Sequence, residues 1–137
     1  MRLKVPLLLL VILVSPPASN SAVSDETVKD FWQTFKRSVI TRDKDAVARL
    51  SRFPIGMSYG KRSIRTRAEF IRRYAEVFNE QSDAAQCFDR KEPEIDPQNP
   101  KRFSMACPDE AGNEVVIYEF ERGRQGWKFV RLDNINE

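Results

Sequence analysis

Apolar residues recur at helical spacing through the first half of the chain. Five of them follow one another at intervals of three, one, three and four residues: Val28, Phe31, Trp32, Phe35 and Val39. This spacing places one apolar stripe on an amphipathic helix, with Ser24 as its N-cap and an end near Thr41. We therefore predict a first helix with one buried face.

Two further helices are predicted from capping residues and apolar periodicity. Asp43 can cap a short second helix, which Pro54 stops because the residue before a proline avoids the helical conformation. After an irregular or extended passage over 55–64, a capping box begins at Thr66 and apolar residues again share one face. The third helix is predicted over 67–79.

The second half of the chain changes to the alternating pattern of strands. Short β-type segments, separated by turn-forming Pro, Asp, Asn and Gly residues, cover 85–91, 102–107, 114–122 and 127–134. Four strands in an antiparallel meander fit this order best. Prolines within 92–101 cannot supply ladder hydrogen bonds, so that stretch is predicted to be a loop.

The last two strands are predicted to form a hairpin around a turn at 123–126. The register pairs Arg122 with Trp127, Glu121 with Lys128, and Phe120 with Phe129. It thereby sets opposite charges and aromatic rings across from each other, both of which stabilise a strand pair. Extended along the strands, the same register places Arg131 opposite Tyr118.

This register predicts two apolar sheet faces. Val115 and Ile117 share one face with Val130 and Leu132, while aromatic residues occupy the other. Helices can cover only one of the two faces. We therefore expect the four aliphatic residues to form a homodimer face, the alternative being that a terminal segment or the 55–64 passage covers them.

The N-terminus has the order of a cleavable export signal, in which a basic start precedes an apolar run and a small-residue end. The apolar run, 5–14, would span only about 15 Å as a helix, half of the roughly 30 Å hydrocarbon core of a bilayer. We expect no stable membrane anchor. Cleavage is predicted after Ala22, with Ala18 and Ser21 as alternatives.

The chain is accordingly divided into a signal peptide over 1–22 and a single domain over 23–137. No cysteine lies near the junction, which leaves no thiol for lipid attachment. The predicted location is exported, either periplasmic or secreted. The alternative for the N-terminal stretch is a buried strand or helix.

Charge is unevenly distributed along the chain. Loss of Arg2 and Lys4 with the signal lowers the net charge from +3 to +1, so overall basicity gives no reason to expect a nucleic-acid partner. Residues 36–73 include twelve basic and three acidic side chains, whereas 74–121 include four basic and twelve acidic ones. A basic face would attract an anionic partner, but neutralisation of one segment by the other is the interpretation we favour.

The chain has two cysteines, Cys87 and Cys107. If the strands flanking the proline loop pair about Pro97, these cysteines lie opposite each other, and in an exported protein they should oxidise to a disulfide. Two buried reduced thiols are the alternative. No metal site is expected, because two cysteines without histidine supply too few ligands for zinc.

Three helices before a curved antiparallel sheet, with Phe53-Pro54-Ile55 after the second helix and Gly126-Trp127-Lys128-Phe129-Val130 in the last strand, resemble the nuclear transport factor 2-like superfamily. The resemblance covers about 24–137. It implies an α+β cone in which three N-terminal helices pack on a four-stranded antiparallel sheet. The superfamily includes ketosteroid isomerases, dehydratases, polyketide cyclases and transport adaptors, so the fold alone does not select a function.

Members of this superfamily commonly enclose a cavity between the long helix and the concave sheet. The resemblance therefore implies a possible pocket lined by Trp32, Tyr74, Met105, Tyr118 and Phe120. Arg131 could hold an anion there. The alternative for each of these residues is a filled core or a solvated strand face.

Catalytic options are narrowed by the absence of histidine from the sequence. This excludes Ser-His-Asp and Cys-His catalysis and an imidazole base. An isomerase-like mechanism would need a carboxylate and a tyrosine in one pocket. The available groups of these types include Tyr59, Tyr74, Tyr118, Asp89, Asp96 and Asp133. No glycine-rich phosphate loop is present, and no cofactor is expected.

The first hypothesis for function is a non-enzymatic exported domain that binds a small apolar or anionic molecule, or a protein, through the cone or the outer sheet face. The second is a secreted inhibitor or immunity-type protein that acts on a partner protein. The third is a histidine-free isomerase or lyase that uses a carboxylate and a tyrosine.

Overall fold

The computed structural model describes Ser15, residues 27–58 and residues 63–136. The predicted signal peptide, apart from Ser15, lies outside the described residues, as do Ser24 and Tyr59. The helical elements are α1 (Val28–Ile40), α2 (Lys44–Arg49), α3 (Arg67–Arg72), a π-helical segment (Glu76–Glu80) and α4 (Ala84–Asp89). The strands are β1 (Ser51–Met57), β2 (Ser63–Ile64), β3 (Glu94–Ile95), β4 (Arg102–Pro108), β5 (Glu114–Gly123) and β6 (Gly126–Asn134).

Side-chain caps begin the first three helices. The N-cap of α1 is Thr27, which accepts from the Asp30 amide at 3.1 Å, so the prediction of Ser24 as the cap is wrong. Asp43 caps α2 as predicted, accepting from the Ala46 amide at 3.0 Å. Thr66 caps α3 as predicted. Each cap satisfies an amide that has no partner within its helix.

The predicted third helix is present but is not uniform. Regular α-helix ends at Arg72, and the π-helical segment follows after a short break. The guanidinium of Arg73 lies at that break, largely buried, where it forms ion pairs of 3.0 Å with both Glu69 and Glu76. A π-helical turn holds one more residue per turn than an α-turn, so it changes which side chains face the core.

The segment predicted as the first strand, 85–91, is instead the helix α4. Asp83 caps it by accepting from the Gln86 amide at 3.1 Å, and Ala84, Cys87 and Phe88 form its buried face. Spacing of three and four residues with a capping aspartate is a helical signature. A run this short also shows partial alternation, which is why the strand prediction failed.

The sheet has six strands in the order β2-β1-β6-β5-β4-β3 and is mixed. β1 runs parallel to β6, and the other pairs are antiparallel. The predicted four-stranded antiparallel sheet was therefore wrong in strand number and in one pairing. β1 was missed because Pro54 interrupts its pattern, and the pairing of β1 with β6 shifts register between Ser51 and Gly56.

The predicted hairpin register is confirmed at the turn end, where Arg122 pairs with Trp127 and the next two predicted pairs follow. The register then shifts by one residue between Glu119 and Phe120. As a result, Tyr118 lies opposite Leu132, and Arg131 lies opposite Glu119. The prediction that Arg131 faces Tyr118 is wrong because one extra residue in a strand reverses the faces beyond it.

The core between the helices and the sheet is filled mainly by aromatic side chains. Phe35 of α1 is fully buried, with its ring centroid 5.0 Å from that of Phe120 and 5.9 Å from that of Phe129. The arrangement is consistent with the cone-like α+β fold that the sequence resemblance implies. Within the described ranges, no helix combines the length and the apolar content that a membrane crossing requires.

Candidate functional site

Most of the residues predicted to line a cone cavity lie in the packed core. Trp32, Tyr118 and Phe120 are completely buried, and Tyr74 and Met105 are 3% exposed. The indole nitrogen of Trp32 donates to the carbonyl oxygen of Lys91 at 3.0 Å, and the Phe120 ring stacks on Phe103 at 4.5 Å. The interior that would form a cavity is thus occupied by aromatic side chains.

Arg131 lies on the opposite side of the sheet from that core. Its side chain is 46% exposed, and its Nε is 3.7 Å from a carboxylate oxygen of Glu119. It also packs over β1, where a Cβ on Gly56 would lie 3.2 Å from the Arg131 Cγ. Arg131 therefore does not join the predicted pocket.

The predicted apolar dimer face is also changed by the register shift. Leu132 is completely buried in the core, and Val130 is 9% exposed. Val115 and Ile117 are half-buried. The outer sheet face instead presents ion pairs, including Arg52 with Glu121 and Arg102 with Glu119 and Glu121. The four residues predicted to form the homodimer face therefore do not share one face, because Leu132 lies in the core.

The predicted disulfide between Cys87 and Cys107 is present, with the two Cα atoms 5.8 Å apart. It joins α4 to β4, whereas the prediction had placed both cysteines on paired strands. The helix lies against the strand at this point, so the sulfur atoms meet although the element type was wrong. A disulfide is consistent with an oxidising compartment outside the cytosol.

Two open grooves of about 410 and 810 Å³ lie near α4 and along β3 and β4. Several of their charged groups have partners within the fold: Lys91 pairs with Glu114, and Arg102 pairs with Glu119. The buried hydroxyl of Ser82 beside the first groove donates to the Pro108 carbonyl oxygen at 2.7 Å. Neither groove presents a buried polar group that needs a ligand.

A smaller pocket of about 170 Å³ differs from these grooves; we call it the Tyr74 pocket. It lies between the end of α1, the π-helical segment and the start of α4. Its lining consists of Val39, Arg42, Tyr74, Phe78, Asn79, Asp83 and Ala85. The buried members form an apolar floor, and the exposed Arg42, Asn79 and Asp83 form a polar rim. The accessible part of the lining is more polar than apolar, whereas most small-molecule sites are predominantly apolar with a few polar groups.

The hydroxyl of Tyr74 has no hydrogen-bond partner among the described residues and is shielded from solvent. Burial raises the pKa of Tyr74 to about 12, while the charge of Arg42 lowers the pKa and that of Asp43 raises it. The hydroxyl is therefore neutral and able to donate a proton in a hydrogen bond. Leaving such a group unpaired costs about 1–3 kcal/mol.

Other charges around the Tyr74 pocket have roles within the fold. Asp43 and Asp83 both accept backbone amide hydrogen bonds as helix N-caps, at 3.0 and 3.1 Å. The ammonium of Lys44 lies 5.5 Å from the centroid of the Tyr74 ring, in reach of a cation–π interaction. Both carboxylates therefore have a backbone partner and keep their negative charge, so the pocket is surrounded by charges of both signs.

Local backbone geometry positions two of the rim residues. Arg42 follows the end of α1 with φ 55°, and the Asp43 amide donates to the Ser38 carbonyl oxygen at 2.9 Å. The Arg42 amide donates to Val39 at 3.1 Å, which completes a Schellman motif. The π-helical segment carries Asn79 to the rim; such segments are frequent at functional sites.

Sequence analysis named Tyr74 for the lining of a cone cavity, which is a different place from this pocket, and it missed Arg42 and Asn79. A detectable signal for Arg42 was its place between the end of one helix and the capping Asp43 of the next, where a left-handed residue is common. No sequence signal indicated the π-helical segment that places Asn79.

The Tyr74 pocket brings one carboxylate, that of Asp83, to the same pocket as a tyrosine, as an isomerase would need, but Asp83 is exposed and no hydrogen bond joins it to the Tyr74 hydroxyl. The Tyr118 hydroxyl donates to the carbonyl oxygen of Val77 at 2.7 Å. The aspartates considered for this role lie apart: Asp89 in α4, Asp96 accepting from the Gln98 amide, and Asp133 accepting from Ser58. Tyr59 lies outside the described ranges.

Comparisons with known proteins concern the fold. Neither the family models nor the curated proteins include a match to the chain. A solved structure from Novosphingobium aromaticivorans, provisionally named an aromatic ring hydroxylase, is 17% identical, covers 82% of this chain and 90% of its own, and has a TM-score of 0.44. An engineered protein whose name contains NTF2 is 12% identical and has a TM-score of 0.43; the match covers 79% of this chain and 96% of the engineered protein.

At these identities and TM-scores the similarities carry no argument about the fold or the site, so the chemistry of the Tyr74 pocket rests on its own geometry.

Proposed function

We propose that this chain is an exported, non-enzymatic binding domain that takes a small organic molecule in the Tyr74 pocket. The buried hydroxyl of Tyr74, which has no partner among the described residues, is the observation that carries this proposal. Because the hydroxyl is shielded from solvent, a ligand has to displace part of the pocket lining to accept its hydrogen bond, and that bond would then recover the free energy lost by leaving the hydroxyl unpaired. Ligand binding is thereby favoured at a hydroxyl that does not contribute to the stability of the fold.

The dimensions and composition of the Tyr74 pocket favour a compact ligand with an apolar body and a polar end. About 170 Å³ is available, less than the 300–1,000 Å³ typical of sites for drug-sized ligands. Val39 and Phe78 on the floor would contact the apolar body. Arg42, Asn79 and the Tyr74 hydroxyl would contact the polar end.

Binding without catalysis fits the ionisable groups around the pocket. With a pKa of about 12, Tyr74 is a poor proton acceptor near neutral pH, because a general base works best with a pKa close to the working pH. Asp43 and Asp83 act as helix caps. The pocket therefore offers hydrogen bonds and charge more readily than an acid–base pair.

The second hypothesis, an inhibitor or immunity-type protein that attracts a partner protein through the uneven charge of the chain, has weaker support. Among the described residues, three ion pairs connect the basic and acidic segments of the sequence: Lys36 with Glu92, Arg52 with Glu121, and Arg73 with Glu76. These contacts support the interpretation that the two segments neutralise each other within one fold.

The proposal is tested by an NMR screen of the purified protein against a library of small organic fragments at millimolar concentration. Binding fragments should shift the resonances of Val39, Tyr74, Phe78 and Ala85. Tyr74→Phe should weaken their binding by about tenfold, since a lost hydrogen bond of about 1.4 kcal/mol changes affinity by that factor.

Tyr118→Phe is the matched control, because it removes a hydroxyl that already has a partner in the core. It should leave fragment affinity unchanged. If no fragment shifts the pocket resonances, or if Tyr74→Phe binds every fragment as tightly as the wild type, the proposal is wrong.

A further inference from the structure

Arg42 occupies a backbone conformation that is unfavourable for arginine. Its φ of 55° lies in the left-handed region, and the position just beyond the C-cap of a Schellman motif is usually glycine. For a residue with a Cβ, the left-handed conformation costs roughly 1–2 kcal/mol. Glycine would therefore serve the fold better at this position.

This cost is not offset by a hydrogen bond or an ion pair of the Arg42 side chain within the described part of the chain. The side chain of Arg42 is exposed, and no hydrogen bond or ion pair joins it to another described side chain. Its neighbour Asp43 caps α2, and the neighbouring Asp45 pairs with Arg67 at 2.7 Å. The presence of arginine here is thus not explained by the stability of the fold.

Arg42 does, however, lie at the rim of the Tyr74 pocket and close enough to Tyr74 to interact with its hydroxyl electrostatically. A guanidinium offers two parallel N–H donors, a geometry that matches the two oxygens of a carboxylate. The neutral Tyr74 hydroxyl is a further donor, and the ammonium of Lys44 adds positive charge over the Tyr74 ring. The carboxylate of Asp83 on the same rim opposes an anion but is engaged with the Gln86 amide, so Arg42 and Tyr74 remain as the donors for an anionic, oxygen-bearing end.

The structure assigns to Arg42 the role of specificity-determining residue: we propose that the ligand of the Tyr74 pocket carries a carboxylate, which the Arg42 guanidinium selects over neutral groups. This inference rests on the proposed function and adds the ligand class to it. Arginine is kept at this position despite its unfavourable backbone conformation because its charge is needed at the rim of the Tyr74 pocket.

Benzoate and benzamide test the inference, because they share shape and differ in charge. Each is titrated by NMR into the purified protein at low ionic strength. Benzoate should bind about tenfold more tightly than benzamide, as expected for a hydrogen bond that gains a charged partner. Raising the salt concentration should weaken benzoate alone, since the rim is exposed and its charges are screened.

Arg42→Gln keeps a long side chain in the same backbone conformation and removes the charge, so it should reduce the benzoate-to-benzamide preference to near unity. Arg37→Gln is the matched control on the exposed surface of α1 and should leave the preference unchanged. A preference that persists in Arg42→Gln overturns the assignment.

The failure of this inference is distinguishable from the failure of the proposed function. If both probes bind equally and Tyr74→Phe weakens both, the Tyr74 pocket stands and the carboxylate assignment is wrong. If neither probe shifts the pocket resonances, the carboxylate assignment is also wrong, and the fragment screen separately decides whether the pocket binds other molecules.

Discussion

The rings of Phe78 and Tyr118 stack in parallel, with centroids 5.7 Å apart and planes inclined by 8°. The Phe78 ring also contacts that of Tyr74, with centroids 4.8 Å apart, so one phenylalanine contacts two tyrosines of different character. The Tyr118 hydroxyl has a carbonyl partner, and the Tyr74 hydroxyl has none among the described residues. The same chemical group therefore stabilises the fold at one position and destabilises it at the other.

Removing the two hydroxyls in turn should have opposite effects on stability. Tyr74→Phe is expected to raise the free energy of unfolding by about 1 kcal/mol, because it removes an unpaired buried hydroxyl. Tyr118→Phe is expected to lower it by about 1 kcal/mol, because it removes a hydrogen bond. Urea unfolding of both variants measures the difference. A loss of stability in Tyr74→Phe would contradict the absence of a partner.

The raised pKa of Tyr74 predicts a loss of stability at alkaline pH. In the unfolded chain the tyrosine loses its proton near 10.0, whereas in the folded state the pKa is about 12. Between these values the unfolded state binds fewer protons, so stability falls as pH rises. The raised pKa of Tyr74 contributes about 2–3 kcal/mol to the free energy of unfolding. This contribution is complete below about pH 10 and is lost as the pH rises through 12.

Urea unfolding across this pH range measures the effect as the difference between the wild type and Tyr74→Phe. Other groups titrate in both proteins and cancel in the comparison. Because the variant lacks the ionisable group, its stability should fall less steeply. Equal slopes in the two proteins would mean that burial does not hold Tyr74 in its neutral form.

Replacing Arg42 with glycine should stabilise the fold. Glycine adopts the left-handed conformation without the penalty of a Cβ, so Arg42→Gly is expected to raise the free energy of unfolding by about 1 kcal/mol. Arg37→Gly makes the same chemical change inside α1 and should lower it by about 1 kcal/mol, from reduced helix propensity. Thermal unfolding compares the two. A destabilised Arg42→Gly variant would show that the arginine supports the fold.

The sequence was most informative where a local pattern alone determines the structure. The cap at Asp43 and the pairing of Arg122 with Trp127 depend on neighbouring residues and were predicted correctly. The parallel pairing of β1 with β6 joins segments far apart in sequence. Pro54 interrupts the strand pattern of β1, so the segment was not recognised as a strand. Long-range pairings of this kind leave little trace in the periodicity of one strand.

The candidate site was predicted only in part, for similar reasons. Tyr74 was identified by its residue type, but its unpaired hydroxyl depends on which groups surround it after folding. Arg131 was misplaced because a one-residue register shift within the hairpin moves it to the outer face. Irregular backbone at Arg42 and along the π-helical segment determines the rim, and neither follows from apolar spacing.

The disulfide should contribute substantially to stability, because it links α4 to β4 across a separation of 20 residues. In the chain-entropy model a loop of this size is worth about 3 kcal/mol. The double variant Cys87→Ala with Cys107→Ala should lose about that amount in urea unfolding. Reductant should destabilise the wild type and leave the double variant unchanged; an equal response in both would contradict the prediction.

Cleavage of the leader remains a prediction from the sequence, because 1–22 lies outside the described residues apart from Ser15. We expect mass spectrometry of the exported protein to find Val23 at the N-terminus. Reversing the basic start with Arg2→Glu and Lys4→Glu should block export, since the positive charge orients the apolar run. The retained protein should then hold Cys87 and Cys107 as thiols, because a cytosol keeps cysteines reduced. An uncleaved but exported wild-type chain would exclude the assigned signal peptide.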